Sequence, residues 1–387
     1  MNARAEAPSV AIMLPSFAPQ DAIGAHSVGL AEALRGLGIE TVIVADEIRA
    51  SWEGGVTQFR KFKQSRPRKN RYLIYQSSTV SNLYPFLMER GETLIVQYHN
   101  ITPRRQVTSF APGLATALAA GRRQFQSMAK ATSLAIAVSE FNAREMVREG
   151  YGRVAVVPPI IADLPTATGS RSYGGAVSDV VFVGRIVPNK AQAELIRTVA
   201  VYNATFPDKV RLRLIGSSTV PSYMHFLQLL TEELGVKEHV SFESGLDGEA
   251  LAAAYAQSHL YSSASHHEGF GFPVVESMRA GLPVVAVGEA AIPETVGSAA
   301  LLVPVSAPEV IATAWHSVLA DAHLRQILVR RGHQRAADFE RGAAADANLA
   351  ALANVIPLSG VRPAPLYHDA SSAGGLDAFD HADEQER

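Results

Sequence analysis

Glu268 and Glu276 bracket a short glycine-bearing loop, with seven residues between them. The surrounding segment, residues 266–287, reads HHEGFGFPVVESMRAGLPVVAV. An apolar run, LYSSAS at 260–265, ends just before it. Pro273 then stands where the first turn of a helix would begin, and Gly281 is placed to end that helix. A glycine-bearing loop that feeds a helix N-terminus presents backbone N–H groups and the positive end of the helix dipole, which suits a diphosphate. Carboxylates at that place would repel a phosphate, so the chemistry they fit is hydrogen bonding to sugar and ribose hydroxyls. His266 and His267 are adjacent, and two neighbouring side chains rarely point at one ion. No Asp-x-Asp-like pair stands near them, so the reading is that no metal is bound. The chain has no cysteine, which excludes disulfides, thiolate metal sites and a thiol nucleophile.

These residues need a scaffold, and the rest of the chain supplies one. Its 387 residues are too many for one ordinary core and suit two domains. Apolar runs at 10–17, 41–46, 72–77, 93–100, 133–139 and 154–159 alternate with helix-like stretches. Several are apolar throughout, as strands covered on both faces should be. A second series follows at 179–186, 210–217, 240–245, 260–265, 283–288 and 300–305. Helices are expected at 190–204, 221–234, 247–257, 273–280 and 307–321. Strand–helix alternation of this kind predicts parallel, doubly wound α/β sheets, and two series predict two domains with a cleft between them. In such sheets ligands bind beyond the carboxyl ends of the strands. The expected division is 1–165 for an N-terminal domain, 166–178 for a Gly/Ser/Thr/Pro-rich linker, and 179–335 for a C-terminal domain. Residues 336–358 read as a helix able to pack back on the N-terminal domain, and 359–387 as a disordered tail.

The EGFGFPVVESMRAGLPVV segment and the Glu268/Glu276 spacing resemble the paired-Glu motif of retaining GT-B glycosyltransferases, specifically glycosyltransferase family 4 (glycosyl transferases group 1). FVGRIVPNKAQAELIRTVAVY at 182–202 is similar to that family's strand–Gly-Arg–loop–Lys–helix element. With the N-terminal elements, the resemblance covers roughly residues 10–350. It implies a GT-B fold of two facing Rossmann-like domains, with an acceptor-side N-terminal domain and a C-terminal domain that takes the nucleotide-sugar donor. It implies further that Arg185 and Lys190, after Gly184, hold the donor diphosphate in place of a metal. A guanidinium fork and a mobile ammonium are suited to neutralising a leaving nucleoside diphosphate. Glu276 would bind the ribose and Glu268 the donor-sugar hydroxyls. Backbone at Gly269, Phe270, Gly271 and Phe272 would meet sugar or phosphate. His99, at the end of the 93–98 run, would contact the donor sugar across the cleft, with Asn100 and Thr102 as candidates for acceptor contacts. Many members have Gly after the Lys, whereas this chain has Ala191-Gln192. Many also have two glycines where this chain has Ile23-Gly24-Ala25. Gly24 could let a phosphate approach the first helix, or simply serve a turn.

The implied activity is transfer of a hexosyl unit, mannosyl or glucosyl, from a nucleoside-diphosphate sugar to a hydroxyl of a glycan or lipid-linked acceptor, with retained anomeric configuration. No resident cofactor is expected. The alternatives are a sugar-nucleotide epimerase of the same fold and a non-catalytic nucleotide-sugar binding protein. A dinucleotide-dependent oxidoreductase is disfavoured, because SFAPQDAIGAH replaces a GxGxxG after the first strand. Net charge is −2, but residues 1–165 carry +6 and the remainder −8. Much of the basic excess lies in FRKFKQSRPRKNR, residues 60–71 above all, which is either a solvated loop or a contact for anionic lipid or a phosphorylated acceptor. It lacks the interleaved aromatics of a nucleic-acid binder. No run of about 18 apolar residues exists, and the N-terminus does not read as a signal peptide. The expected location is cytoplasmic, with a peripheral position at the inner membrane face as the extension of that reading.

Overall fold

The computed structural model describes residues 7–164 and 171–371. In the N-terminal half the six apolar runs become strands β1 (Ser9–Phe17), β2 (Glu40–Ile48), β4 (Arg71–Ser77), β5 (Thr93–Tyr98), β6 (Thr132–Ala137) and β7 (Arg153–Val156), and a short β3 (Val56–Gln58) that no expected run covers joins them. The second half forms β8 (Val177–Val183), β9 (Lys209–Ile215), β10 (Val240–Glu243), β11 (Leu260–Ser263), β12 (Val284–Val287) and β13 (Leu301–Val303). A last short strand, β14 (His368–Asp369), returns to the first sheet. The two sheets run β14-β7-β6-β5-β4-β1-β2-β3 and β10-β9-β8-β11-β12-β13. Every pairing among named strands is parallel except β14 with β7. Helices cover both faces, so the central strands are buried on both sides: Val10 to Leu14 of β1 are at most 2% exposed.

Strand order reverses between β1 and β4 in the first sheet and between β8 and β11 in the second. At such reversals the connections leave in opposite directions and open a crevice beyond the strands' carboxyl ends. The candidate site residues sit at these two places. Helix Ala22–Gly36 and its lead-in loop follow β1, the Gly184–Lys190 loop follows β8, and the Glu268 loop follows β11. His99 comes directly after β5, which neighbours β4.

The predicted helices form at Gln192–Thr205, Pro221–Glu233, Gly248–Gln257, Phe272–Arg279 and Pro308–Ala320. The Ala-rich stretch after them is two helices, Ala322–Ala337 and Arg341–Leu352. The chain crosses between domains where they meet. The first packs on helix Phe272–Arg279 of the second domain. The second packs on helix Ala22–Gly36 of the first, with Arg341 bonded to Glu32 at 2.5 Å. The expected disordered tail is corrected over 359–371. Ala364 N–H bonds to the Ala350 carbonyl at 2.9 Å, Tyr367 N–H to the Val154 carbonyl at 2.7 Å, and β14 pairs with β7. Backbone pairing at a free sheet edge orders a segment that has little apolar periodicity to announce it. The remainder of that tail and residues 166–170 of the expected linker lie outside the described residues.

Candidate active site

The loops after β8 and β11 are neighbours because their strands pair, Val181 standing opposite Tyr261. The His266 N–H donates to the Asn189 carbonyl at 3.0 Å, which fixes the two loops side by side. Lys190 Nζ then lies 2.5 Å from Glu268 Oε1, each side chain about 15% exposed. Gly184, with φ 152°, ends β8. A Cβ on Gly216, at the end of adjacent β9, would stand 1.9 Å from the Gly184 carbonyl oxygen, so only glycine fits there. Arg185 is exposed, and its guanidinium has no hydrogen bond or ion pair among the described residues. Its backbone carbonyl accepts from Gln192 Nε2 at 2.8 Å. Ala191, where many of the family have glycine, adopts the left-handed conformation (φ 51°, ψ 39°) that starts helix Gln192–Thr205. An alanine in that conformation costs about 1 kcal/mol.

Gly271 opens helix Phe272–Arg279 at φ 97°, and a Cβ there would stand 2.9 Å from Ile292 Cδ1. The loop therefore needs glycine for both its backbone angle and its packing. The backbone N–H groups of Phe270, Gly271 and Phe272 find no protein acceptor among the described residues, as expected at a helix start. The rings of Phe270 and Phe272 face each other at 5.6 Å, and Phe270 also meets Phe339 at 5.2 Å. Those side chains anchor the loop in the core. One turn into the helix, Glu276 Oε2 accepts from the buried Tyr255 hydroxyl at 2.8 Å. Burial raises the Glu276 carboxyl above its usual range, and the Tyr255 bond and Arg279 oppose that rise.

The N-terminal domain meets these loops directly. A Cβ on Gly269 would stand 2.8 Å from both the His99 carbonyl oxygen and Asn100 Cβ. Asn100 adopts φ 78° and places Oδ1 2.7 Å from His267 Nε2 and Nδ2 3.0 Å from Asn142 Oδ1. The Glu294 carboxylate reaches across to accept the Glu140 and Phe141 N–H groups, at 2.6 and 3.0 Å, at the start of helix Glu140–Arg148. Phe110 packs against Tyr223 and Phe226 at 4.9 and 5.1 Å. The structure thus brings Lys190, Glu268, Gly269 and His99 to one place. Gly24 lies at the other switch point, and its missing side chain is used internally: a Cβ would stand 1.9 Å from the Ala18 carbonyl oxygen. Thr102 is half-buried and Arg104 and Arg105 are exposed.

His99 Nε2 is 2.5 Å from Gln76 Oε1, and its ring stands edge-on to His26 at 5.4 Å between centroids. Burial, then the neighbouring His26, hold its imidazole well below the usual histidine range. His26 is fully buried, and burial lowers it to about 4 against a lesser opposing effect from its bond to Gln97. Both imidazoles are therefore neutral near pH 7. Gln76, Gln97, His26, Glu294 and Tyr255 were missed by the sequence reading. The glutamines had a signal, since each is a long polar side chain directly after the apolar stretch of its strand. Among the described residues, no group of three or more His, Asp or Glu side chains is arranged to hold a metal. No helix among them is long and apolar enough to cross a membrane.

The unfolded chain protonates His26 near its ordinary value of 6.5, while the folded chain resists until about pH 4. Stability from this group is present above pH 6.5 and is lost as pH falls from there towards 4, up to about 3 kcal/mol. Urea titrations between pH 7.5 and 4.5 should show that fall, and a His26→Gln variant a shallower one. Equal slopes for the two proteins would remove His26 as its source.

Residues 177–335 match the family model described as Glycosyl transferases group 1. The chain is 32% identical over 189 residues to a GDP-mannose-dependent alpha-(1-6)-phosphatidylinositol monomannoside mannosyltransferase of Mycolicibacterium smegmatis, covering 46% of this chain and 43% of that protein. It is 32% identical over 267 residues to a D-inositol 3-phosphate glycosyltransferase of Geodermatophilus obscurus, covering 62% and 58%. The chain thus spans about half the length of the curated relatives it matches. Among solved structures it resembles a sucrose-phosphate synthase from Thermosynechococcus elongatus (TM-score 0.68, 17% identity, 91% of this chain and 100% of that one). It also resembles WaaG, a glycosyltransferase involved in lipopolysaccharide biosynthesis (TM-score 0.66, 14% identity, 91% and 100%). The Anabaena protein HepE, solved with UDP and glucose, is a further likeness (TM-score 0.67, 16% identity, 90% and 100%). Two parallel α/β domains meeting at their switch points, and the match over the second of them, lead to one assignment: over residues 177–335 the chain carries a Glycosyl transferases group 1 domain, set in a GT-B fold.

Proposed function

We propose that the chain is a retaining hexosyltransferase that moves a mannosyl- or glucosyl-type unit from a nucleoside-diphosphate sugar to a hydroxyl of a glycan or lipid-linked acceptor in glycolipid or envelope-glycan synthesis. The observation that carries the reading is the Lys190–Glu268 pair at the β8/β11 switch point, beside the Gly271 helix start and against the His99 segment. Diphosphate would be held by Lys190, Arg185 and the N–H groups of the Phe272–Arg279 helix start. Glu268, released from Lys190, would take sugar hydroxyls, and Glu276, oriented by Tyr255, the ribose. Relatives named as a GDP-mannose-dependent mannosyltransferase and inositol 3-phosphate glycosyltransferases support this class of reaction.

No side chain in the cluster is placed as an obvious nucleophile. The route is therefore a front-face one, in which the leaving phosphate takes the acceptor proton as the new C–O bond forms. Lys190 and Arg185 act where negative charge grows, and that is where fixed cations accelerate a reaction most. Contact between the Gly269 loop and His99 would keep water from the reacting carbon. The second half would act on donor alone if the chain were an epimerase, so product analysis with and without acceptor separates the two.

Residues 60–71 offer a further partner within this reading. Arg60, Lys61, Lys63, Arg66 and Lys69 are exposed, while Arg68 pairs with Glu40 at 3.1 Å and Arg71 with Glu92 at 3.4 Å. Five solvated cations beside a sheet edge suit an anionic surface presenting the acceptor.

Lys190→Ala should lower transfer by about 10²-fold or more in a protein that still folds, with a lowered melting temperature because Glu268 loses its partner. Transfer within a few-fold of the parent protein would remove the charge-stabilising role. Vesicles containing anionic phospholipid should float the protein at low salt and release it at high salt. Flotation that ignores either lipid charge or salt would exclude the surface contact.

A further inference from the structure

Five polar side chains around the β4/β5 ends, four of them buried and His99 partly so, form one branched network of hydrogen bonds, and two of its three ends are pinned by backbone groups whose polarity cannot change. At one end the Ile160 N–H donates to His26 Nδ1 at 3.0 Å. His26 is neutral, so its proton sits on Nε2 and is donated to Gln97 Oε1 at 2.8 Å. At the other end Asn348 Nδ2 donates to the Pro158 and Ala344 carbonyls, at 3.1 and 2.8 Å. Its Oδ1 must then be the atom that faces Gln97 Nε2, at 3.2 Å. Both ends give Gln97 the same orientation. Gln97 Oε1 also receives Gln76 Nε2 at 3.1 Å, which leaves Gln76 Oε1 turned to His99 Nε2 at 2.5 Å. An amide oxygen only accepts, so the His99 proton lies on Nε2. His99 Nδ1 is consequently a bare lone pair, and it is buried without any partner.

We infer that Gln76, Gln97 and Asn348 are positioning residues that fix His99 as its Nε2–H tautomer and present Nδ1 as an acceptor for an uncharged hydroxyl of the bound substrate. The inference rests on the transferase reading for the identity of that hydroxyl as one of the sugar's. The tautomer itself follows from the hydrogen-bond polarities together with the neutrality that burial imposes on the ring. A buried acceptor without a donor destabilises the empty site and favours any ligand that brings an O–H to it. Asn348 lies on helix Arg341–Leu352, so the segment that crosses back from the second domain completes the relay and sets the state of a residue at the cleft. His99 in this role is a hydrogen-bond acceptor and carries no charge into the reaction.

The test is nitrogen-15 NMR of the full chain labelled at histidine, near pH 7.5, with the His99 signals assigned by their loss in His99→Gln. The expected spectrum has a protonated Nε2 and an unprotonated Nδ1. A protonated Nδ1, or an imidazolium, would overturn the assignment, and this arm needs no other variant to fold. Gln76→Leu should give a mixture of tautomers and a loss of transfer of about tenfold or more, with affinity for a nucleoside diphosphate within about twofold of the parent. An unchanged tautomer in Gln76→Leu would remove the positioning role. If the parent spectrum is as expected but no hexose is transferred to any acceptor, the functional reading fails while the tautomer stands.

Discussion

One ion pair organises the second domain's end of the cleft. Lys190 and Glu268 come from loops after two adjacent strands of opposite winding, and they meet at 2.5 Å in a place largely closed to water. A partly buried pair of this kind is costly to break one member at a time, because the other is left as an uncompensated charge. In the proposed reaction, replacement of the carboxylate by a diphosphate would keep the ammonium paired and free the carboxylate for hydroxyl groups, so one small region would serve both a phosphate and a sugar. The neighbouring geometry serves the same end: Gly216 lets the β8 and β9 ends close up, Gly271 lets the loop turn into its helix, and Tyr255 aims Glu276.

The first domain closes the arrangement from the opposite side. The segment after β5 supplies the His99 carbonyl against Gly269, Asn100 to His267, and Phe110 to the Tyr223–Phe226 pair. Glu294 answers from the second domain by capping helix Glu140–Arg148. These contacts are mostly polar and local, as in interfaces between domains that move relative to each other. A substrate that entered between the loops would have to part some of them, and those same contacts would close behind it.

The scaffold was legible in the sequence because both-face burial makes strands read as continuous apolar runs and because glycine and proline punctuate them. Glu268 and the glycine-bearing loop were legible by type and spacing, and Lys190 through the family resemblance of the 182–202 segment. The relay behind His99 was not, since hydrogen bonds among Gln76, Gln97, His26 and Asn348 join four separate elements and depend on strand order. β3 and β14 were missed for a different reason: each is two or three residues long, so neither has room for a periodic pattern. The order of 359–371 comes from edge pairing with β7, which composition does not encode. Ala191 shows the converse, a departure from the family's usual residue at a position that still takes the left-handed backbone glycine favours.

The most direct test of the central ion pair is calorimetric titration of a nucleoside diphosphate, chosen from a panel of bases, into the parent protein and into Glu268→Gln. Removing the carboxylate's charge releases Lys190, so the bare diphosphate should bind the variant several-fold more tightly, by about 1 kcal/mol. Equal or weaker binding by the variant, or no binding of any nucleoside diphosphate to the parent, would contradict the account.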